Sequence, residues 1–208
     1  KIPNSLPLRF PNLIINGSEG IAVAMAVKMP SHNPIETLNA LLYLIDKRNS
    51  NTEPSIDELL EILPAPDFPT GGVVHSLSDM RKVWEEGRGS VKLRAKWETV
   101  EDVYGNERIK ITEIPYQVKK EELVKKLTEL CSPNKEKDGL IEVEGVKAIE
   151  DLSDKSGLTI EISLQKEFDA QTIFSKLAKQ SQLETFINYN NTVLVNNKPK
   201  VLGLLEIL

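Results

Sequence analysis

Gly89-Ser90-Val91-Lys92-Leu93-Arg94-Ala95-Lys96-Trp97 is the stretch on which the fold class turns. Successive side chains of an extended strand point to opposite faces. Val91, Leu93, Ala95 and Trp97 therefore share one side, and Ser90, Lys92, Arg94 and Lys96 the other. A second alternating run follows Tyr104-Gly105-Asn106, with Ile109 and Ile111 set against Arg108, Lys110 and Thr112. Together the runs read as an antiparallel hairpin with one buried and one solvated face. Upstream, Asn33, Pro34 and Glu36 mark a helix start, and Leu38, Leu41, Leu42 and Ile45 recur at helical spacing. Ser55 opens a shorter helix that Pro64 stops, and residues 78–86 form another, closed by Gly87. Val73-Val74-His75 and 158–164 read as strands, 119–130 and 170–180 as helices, and 192–195 and 200–202 as short strands. Short strands and ordered loops are expected over the first thirty residues, around Leu13 to Ile15 and Ile21 to Val27. Helices interspersed with antiparallel strands predict an α+β fold, a mixed, largely antiparallel sheet with packed helices.

At 208 residues the chain can bury a proper core, as one large domain or two small ones. It has no internal repeat, low-complexity tract or Gly/Ser linker, which favours a single domain over residues 1–208. Hydrophobic content of 40% and charged content of 27% are those of an ordinary globular protein. Cys131 has no second cysteine to bond, which rules out an internal disulfide and favours a reducing compartment. Its distance in sequence from His32 and His75 argues against a His/Cys zinc site. No apolar run reaches the ~18 residues of a membrane span. The start at Lys1 and the apolar end, Gly203 to Leu208, read as a segment of something longer.

The net charge of −5 argues against an autonomous nucleic-acid binder, but its distribution says more than its sum. Residues 81–97 carry a balance of +4, and residues 142–169 a balance of −5. Lys92, Arg94 and Lys96 at alternate positions of one strand, with Arg108 and Lys110 on its partner, make a basic strip suited to phosphates. A plain solvated sheet face carries the same residue types, and the pattern alone does not separate the two readings.

No catalytic constellation stands out. His32, His75 and Cys131 read as structural, and the carboxylate pairs Glu121/Glu122 and Asp151/Asp154 as solvated. Gly17-Ser18-Glu19-Gly20 lacks the lysine of a phosphate loop, and Gly87-Arg88-Gly89 leads into a strand, not a helix.

Several motifs share one family. Leu6-Pro7-Leu8-Arg9-Phe10-Pro11-Asn12-Leu13, Asn16-Gly17-Ser18-Glu19-Gly20-Ile21-Ala22-Val23 and Met29-Pro30-Ser31-His32-Asn33 open the chain. Pro64-Ala65-Pro66-Asp67-Phe68-Pro69-Thr70-Gly71-Gly72, Gly87-Arg88-Gly89-Ser90 and Thr112-Glu113-Ile114-Pro115-Tyr116-Gln117-Val118 follow, and Lys198-Pro199-Lys200-Val201-Leu202 ends the series. In order and spacing they resemble the A subunit of bacterial type IIA DNA topoisomerases, DNA gyrase and topoisomerase IV. That subunit cuts a duplex with a tyrosine, passes a second duplex through the break, and reseals it. The cleavage tyrosine lies in an Arg-Tyr-Thr context, which Tyr43, Tyr104, Tyr116 and Tyr189 all lack. The resemblance therefore implies no catalytic residue in this chain and no cleavage by it alone. It implies the tower region, with 1–33 leading in from the winged-helix part and 203–208 starting the coiled coil. ATP, Mg2+ and the metal-binding carboxylates would belong to the partner B subunit, leaving no cofactor or metal here. Expected partners are double-stranded DNA, that B subunit, and a further copy of the A subunit in a homodimer, with no membrane. The setting would be cytoplasmic and nucleoid-associated, or an organelle.

The resemblance also implies residue roles. Ile21 matches an isoleucine that wedges between base pairs and helps bend the duplex, whereas its position alone would make it a core strand residue. Asn16 and Ser18 would lie near phosphates, and Thr70 and Arg88 along the DNA-facing side, with Lys92, Arg94 and Lys96 as the basic strip. Tyr116 reads as packing. Ala24 and Ser31 replace a family glycine and proline, the 151–157 loop is short, 133–148 is expanded, and 185–190 departs from the usual pattern. The leading expectation is a DNA-binding and DNA-bending module of the topoisomerase. The alternatives are a scaffold joining the winged-helix part to the coiled coil, and an independent small-molecule enzyme.

Overall fold

Side-chain caps open four of the described helices. Asn33 and Ser55 cap where the sequence places them, Asn33 accepting from the backbone N–H groups of Ile35 and Glu36 and Ser55 from Asp57, and Ser76 accepts from Asp79 and Asp169 from Thr172. The computed structural model describes residues 8–23, 25–132, 143–155 and 157–208. Leu6-Pro7, the Ala24 substitution and most of the 133–148 stretch lie outside the described residues. In chain order the elements begin with α1 (Asn12–Asn16), β1 (Ser18–Ala22), β2 (Met25–Met29), α2 (Pro34–Asn49) and α3 (Ile56–Ile62). Next come β3 (Val73–Val74), α4 (Leu77–Glu86), β4 (Arg88–Arg94), β5 (Lys96–Glu101), β6 (Glu107–Glu113) and α5 (Lys120–Leu130). The series closes with β7 (Val146–Asp151), β8 (Ile160–Leu164), α6 (Ala170–Gln180), β9 (Glu184–Asn190), β10 (Thr192–Val195), β11 (Lys198–Val201) and α7 (Leu204–Ile207). Every strand pair with a described register is antiparallel, and the class is α+β as the alternation predicts.

The chain gathers into two compact units. The first holds Lys1–Phe68, Ser76–Lys92 and Phe186–Leu208, and the second Pro69–His75 and Leu93–Thr185. Because the chain passes from one to the other four times, no linker marks them in sequence.

In the first unit β1, β2, β9 and β4 follow one another in a sheet, and β10 and β11 form a separate hairpin. Trp84 of α4 is its buried centre: the indole N–H donates to the Leu63 carbonyl at 3.2 Å. His32 and Tyr189 pack on that ring, with centroids at 5.1 and 5.8 Å. In the second unit the order is β5-β6-β8-β7. Its core joins Ile109, Ile111, Ile160 and Ile162 to Leu123 and Leu127 of α5 and to Ile173, Phe174 and Leu177 of α6. Trp97 stacks on Phe174 with centroids 4.4 Å apart.

Two expectations are corrected. Leu13 to Ile15 form the single turn of α1 rather than a strand, with Asn12 and Asn16 bonded to each other across it. The helical spacing of Leu38, Leu41, Leu42 and Ile45 stands as α2, in which Leu38, Leu42 and Ile45 are exposed and Thr37 and Ala40 are buried. The run from Gly89 to Trp97 is two strands: β4 stops at Arg94, Ala95 donates its N–H to Leu183, and β5 starts in another sheet with a register shift at Lys96/Trp97. The alternation of faces continues across that break, so period alone could not reveal it. The hairpin of the second run stands, as β5 with β6, pairing Trp97 with Ile111 and Thr99 with Ile109.

Candidate nucleic-acid interface

The site is built up from Gly17. Its φ of 68° turns the chain from α1 directly into β1. A Cβ there would sit 2.3 Å from the Met29 carbonyl oxygen and 2.9 Å from the Ser31 nitrogen, so only glycine lets the two segments close. From this base β1 and β2 run out as a hairpin in the register Ser18↔Met29, Gly20↔Val27, Ile21↔Ala26 and Ala22↔Met25. The base is anchored by His32, whose backbone N–H and ring Nδ1 both donate to the Ile14 carbonyl, the ring at 3.0 Å. Ser31 and Asn33 tie it to Asp67: the Ser31 hydroxyl donates to the Asp67 carbonyl at 2.8 Å, and the Asn33 amide to its carboxylate at 3.3 Å. A proline at this position could not make that bond to Asp67.

The far end of the hairpin is apolar and bare. Ile21 is 93% exposed and Val23 98%, with Met25 beside them at 46%. Reading Ile21 as a core strand residue is therefore wrong. Gly20, next to it, has open space around it: a Cβ would meet only a Val27 methyl, at 3.8 Å. The fold does not require glycine at this position. In a strand, a glycine often marks a bulge, a tight bend or a close approach by another backbone or a ligand.

The other candidate residues divide between the units. Asn16 is exposed at the end of α1, its amide engaged by Asn12, and Ser18 is half-buried at the start of β1. Arg88 opens β4 and is exposed, its Nε–H donating to Asn190 Oδ1 at 3.2 Å. Lys92 lies 5.4 Å from the centre of the Phe186 ring, within cation–π range. These five, Ile21 included, belong to the first unit.

Thr70, Arg94 and Lys96 belong to the second. Thr70 is exposed in the turn before Gly71 and Gly72. Arg94 is paired with Glu184 through Nε at 2.9 Å, and Lys96 with Glu113 at 3.0 Å. Glu113 also accepts from the Gly72 N–H at 2.6 Å, and this bond, ahead of Lys96, holds its carboxyl below the ordinary carboxylate range. Gly71 lies so close, at φ 72°, that a Cβ would be 2.0 Å from the same carboxylate. The other cations of the expected strip are also matched: Arg108 by Glu161 at 3.2 Å and Lys110 by Glu98 at 2.9 Å. Lys92, Arg94 and Lys96 thus do not share one strand, and in the second unit the strip is a ladder of ion pairs.

Among the described residues no group of three or more His, Cys, Asp or Glu side chains is placed to hold a metal ion. No helix among them is long and apolar enough to cross a membrane.

Motifs that lie far apart in sequence meet in these bonds. Asn16-Gly17-Ser18 packs on Met29 to Ser31, Ser31 on Asp67, and Gly71-Gly72 on Glu113. A family model for the A subunit of DNA gyrase/topoisomerase IV matches residues 1–208. The chain belongs to that family. It is 40% identical over 208 residues to the A subunit of DNA topoisomerase 4 from Streptococcus pyogenes serotype M3, covering 100% of this chain and 24% of that protein. To the DNA gyrase A subunit of Halalkalibacterium halodurans it is 41% identical over 208 residues, again 24% of the relative. The DNA gyrase A subunit of Leptospira biflexa is 40% identical over 206 residues, 99% of this chain and 23% of the relative. The chain thus spans about a quarter of the length of these curated relatives. Gyrase and topoisomerase IV subunits match this family member equally well.

Residue reasoning passed over two groups at the site. Val23 doubles the apolar tip, a signal present in its adjacency to Ile21. Asn190 holds Arg88 and reaches the hairpin by donating to the Ala26 carbonyl at 2.8 Å. No local signal marked it, since Arg88 and Asn190 stand 102 residues apart.

Proposed function

We propose that this chain seats and bends a DNA duplex for the A subunit of a type IIA topoisomerase, with the tip of the β1–β2 hairpin as its wedge. Ile21 carries the reading. An isoleucine 93% exposed on a hairpin end, with Val23 bare beside it, buries nothing for the fold. Inserted at a base step, it costs a few kcal/mol of unstacking, which the wider contact of a bent duplex offsets. Asn16, Ser18, Arg88 and Lys92 stand in the same unit to meet phosphates, and Thr70, Arg94 and Lys96 are the candidates in the other. Such contacts read charge and deformability, not base sequence.

On this reading the chain is the tower region of the topoisomerase and does not cut DNA by itself. Strand cleavage, passage and resealing, ATP hydrolysis, Mg2+ and pairing with B subunits in a homodimeric A core belong to the whole protein. Its setting is the cytoplasm, at the nucleoid. A scaffold role is the second reading, and the ion-paired cations of the second unit favour it there.

A hydroxyl-radical source tethered at Val23→Cys, in a Cys131→Ser background, separates the two. With the full A and B subunits on a duplex, the wedge predicts cuts clustered at one step. A scaffold predicts none.

A further inference from the structure

The first unit holds a groove of about 510 Å3 whose lining includes Met25, Ala26, Arg88, Asn190, Thr192 and Lys200. No acidic side chain lines it. Among the described residues neither Arg88 nor Lys200 has a carboxylate partner, unlike Arg94, Lys96, Arg108 and Lys110. Arg88 is nevertheless held in place. Its Nε–H donates to Asn190 Oδ1, which also accepts from the Thr192 hydroxyl at 2.8 Å. The Asn190 amide is oriented in turn by its bond to the Ala26 carbonyl. This use of Nε leaves the terminal N–H groups of the guanidinium for a tetrahedral oxyanion. Lys200 stands on β11 opposite Val193, exposed, as the second cation of the groove.

A chain of bonds joins this groove to the wedge. Ile21 pairs with Ala26, the Ala26 carbonyl accepts from the Asn190 side chain, whose own register partner is Lys28, and Asn190 holds Arg88. Strands in a sheet lie ~4.8 Å apart, so the order β1-β2-β9-β4 puts Arg88 roughly 14 Å from β1 at the level of Glu19 and roughly 16 Å from Ile21 two residues along, between about four and five base-pair rises of ~3.4 Å.

We propose that Arg88, aimed by Asn190 and Thr192, and Lys200 form a seat for backbone phosphates of the same duplex that the hairpin wedges. This rests on the reading of the hairpin as a wedge. The phosphates taken lie about four to five base pairs from the kinked step, and the apolar side of the groove, Met25 and Ala26, faces the sugars between them.

Duplex binding by this chain, followed by fluorescence anisotropy of a labelled 30-base-pair DNA from 50 to 200 mM salt, tests the seat. Each phosphate that a variant no longer neutralises lowers the slope of log Kobs against log salt by about 0.9. Arg88→Ala with Lys200→Ala should flatten it by about 1.8, Arg88→Lys with wild-type Lys200 should keep it, and Lys119→Ala, in the second unit, should leave it as it is. Asn190→Asp, which sets a carboxylate against Arg88, should flatten it by about 0.9 without removing a cation. An unchanged slope in the double variant, its melting temperature intact, overturns the seat; should that variant melt early, Asn190→Asp decides in its place. The Ile21→Ala variant separates the two ideas: lost bending with an unchanged double-variant slope overturns the seat and leaves the wedge. A wild-type chain that shows no salt-dependent duplex binding overturns both.

Discussion

His32 shows how one side chain sets the base of the hairpin that precedes it. Burial pushes its pKa down to about 4, against the partial help of the Ile14 carbonyl, so the ring is neutral in the folded chain near pH 7. A histidine that is harder to protonate when folded leaves stability complete above pH 6.5 and lost as pH falls toward 4. The loss amounts to about 3 kcal/mol. His32→Asn, whose amide can still donate to Ile14, should abolish that loss; urea unfolding at pH 7, 5.5 and 4.5 measures it, and an equal loss in the variant would contradict the assignment. The structural role of His32 was legible from the lack of any nucleophile nearby. Ile21 was not legible from its own neighbourhood, because a β-branched residue in an apolar run has the pattern of a core strand. Only the motif around it pointed outward, and its exposure agrees with the motif.

At the scale of elements, helix boundaries were legible because caps are local chemistry: Asn33, Ser55 and Gly87 each act on backbone within a few residues. Sheet partners were not. The break between β4 and β5 keeps the alternation of faces while exchanging one sheet for another, and β9 meets its partners across separations of 90 to 164 residues. The ion pairs were hidden for the same reason, since Arg94 meets Glu184 ninety residues on. Glu113 is the joint of its element, binding Gly72 on β3's approach and Lys96 on β5. Its carboxyl is held below the ordinary 4.5, so its contribution to stability is full above that pH and is lost as pH falls through the lowered value. Glu113→Gln should destabilise the chain at pH 7 and flatten its acid limb below pH 4.5. Thermal melts from pH 7 to 3 read both effects, and a variant limb parallel to wild type would refute the role.

For the whole molecule, the net charge of −5 has a physical place. The carboxylates of the second unit neutralise much of the expected strip, as in Glu184 with Arg94, Glu113 with Lys96 and Glu98 with Lys110. Arg88 and Lys200, neither with a carboxylate partner among the described residues, line one groove in the unit that carries the bare hairpin tip. An acidic chain can therefore hold a DNA-facing site, provided its basic residues are sorted by which ones the fold leaves uncommitted. The central claim is that this site bends DNA through Ile21, and the bend itself is the direct measurement. Energy transfer between dyes at the two ends of a duplex, titrated at low salt with wild-type chain and with Ile21→Ala, reports it. The account predicts that wild type brings the ends together, while Ile21→Ala binds with the same salt slope and leaves the duplex nearly straight. Equal transfer in the two complexes would contradict it.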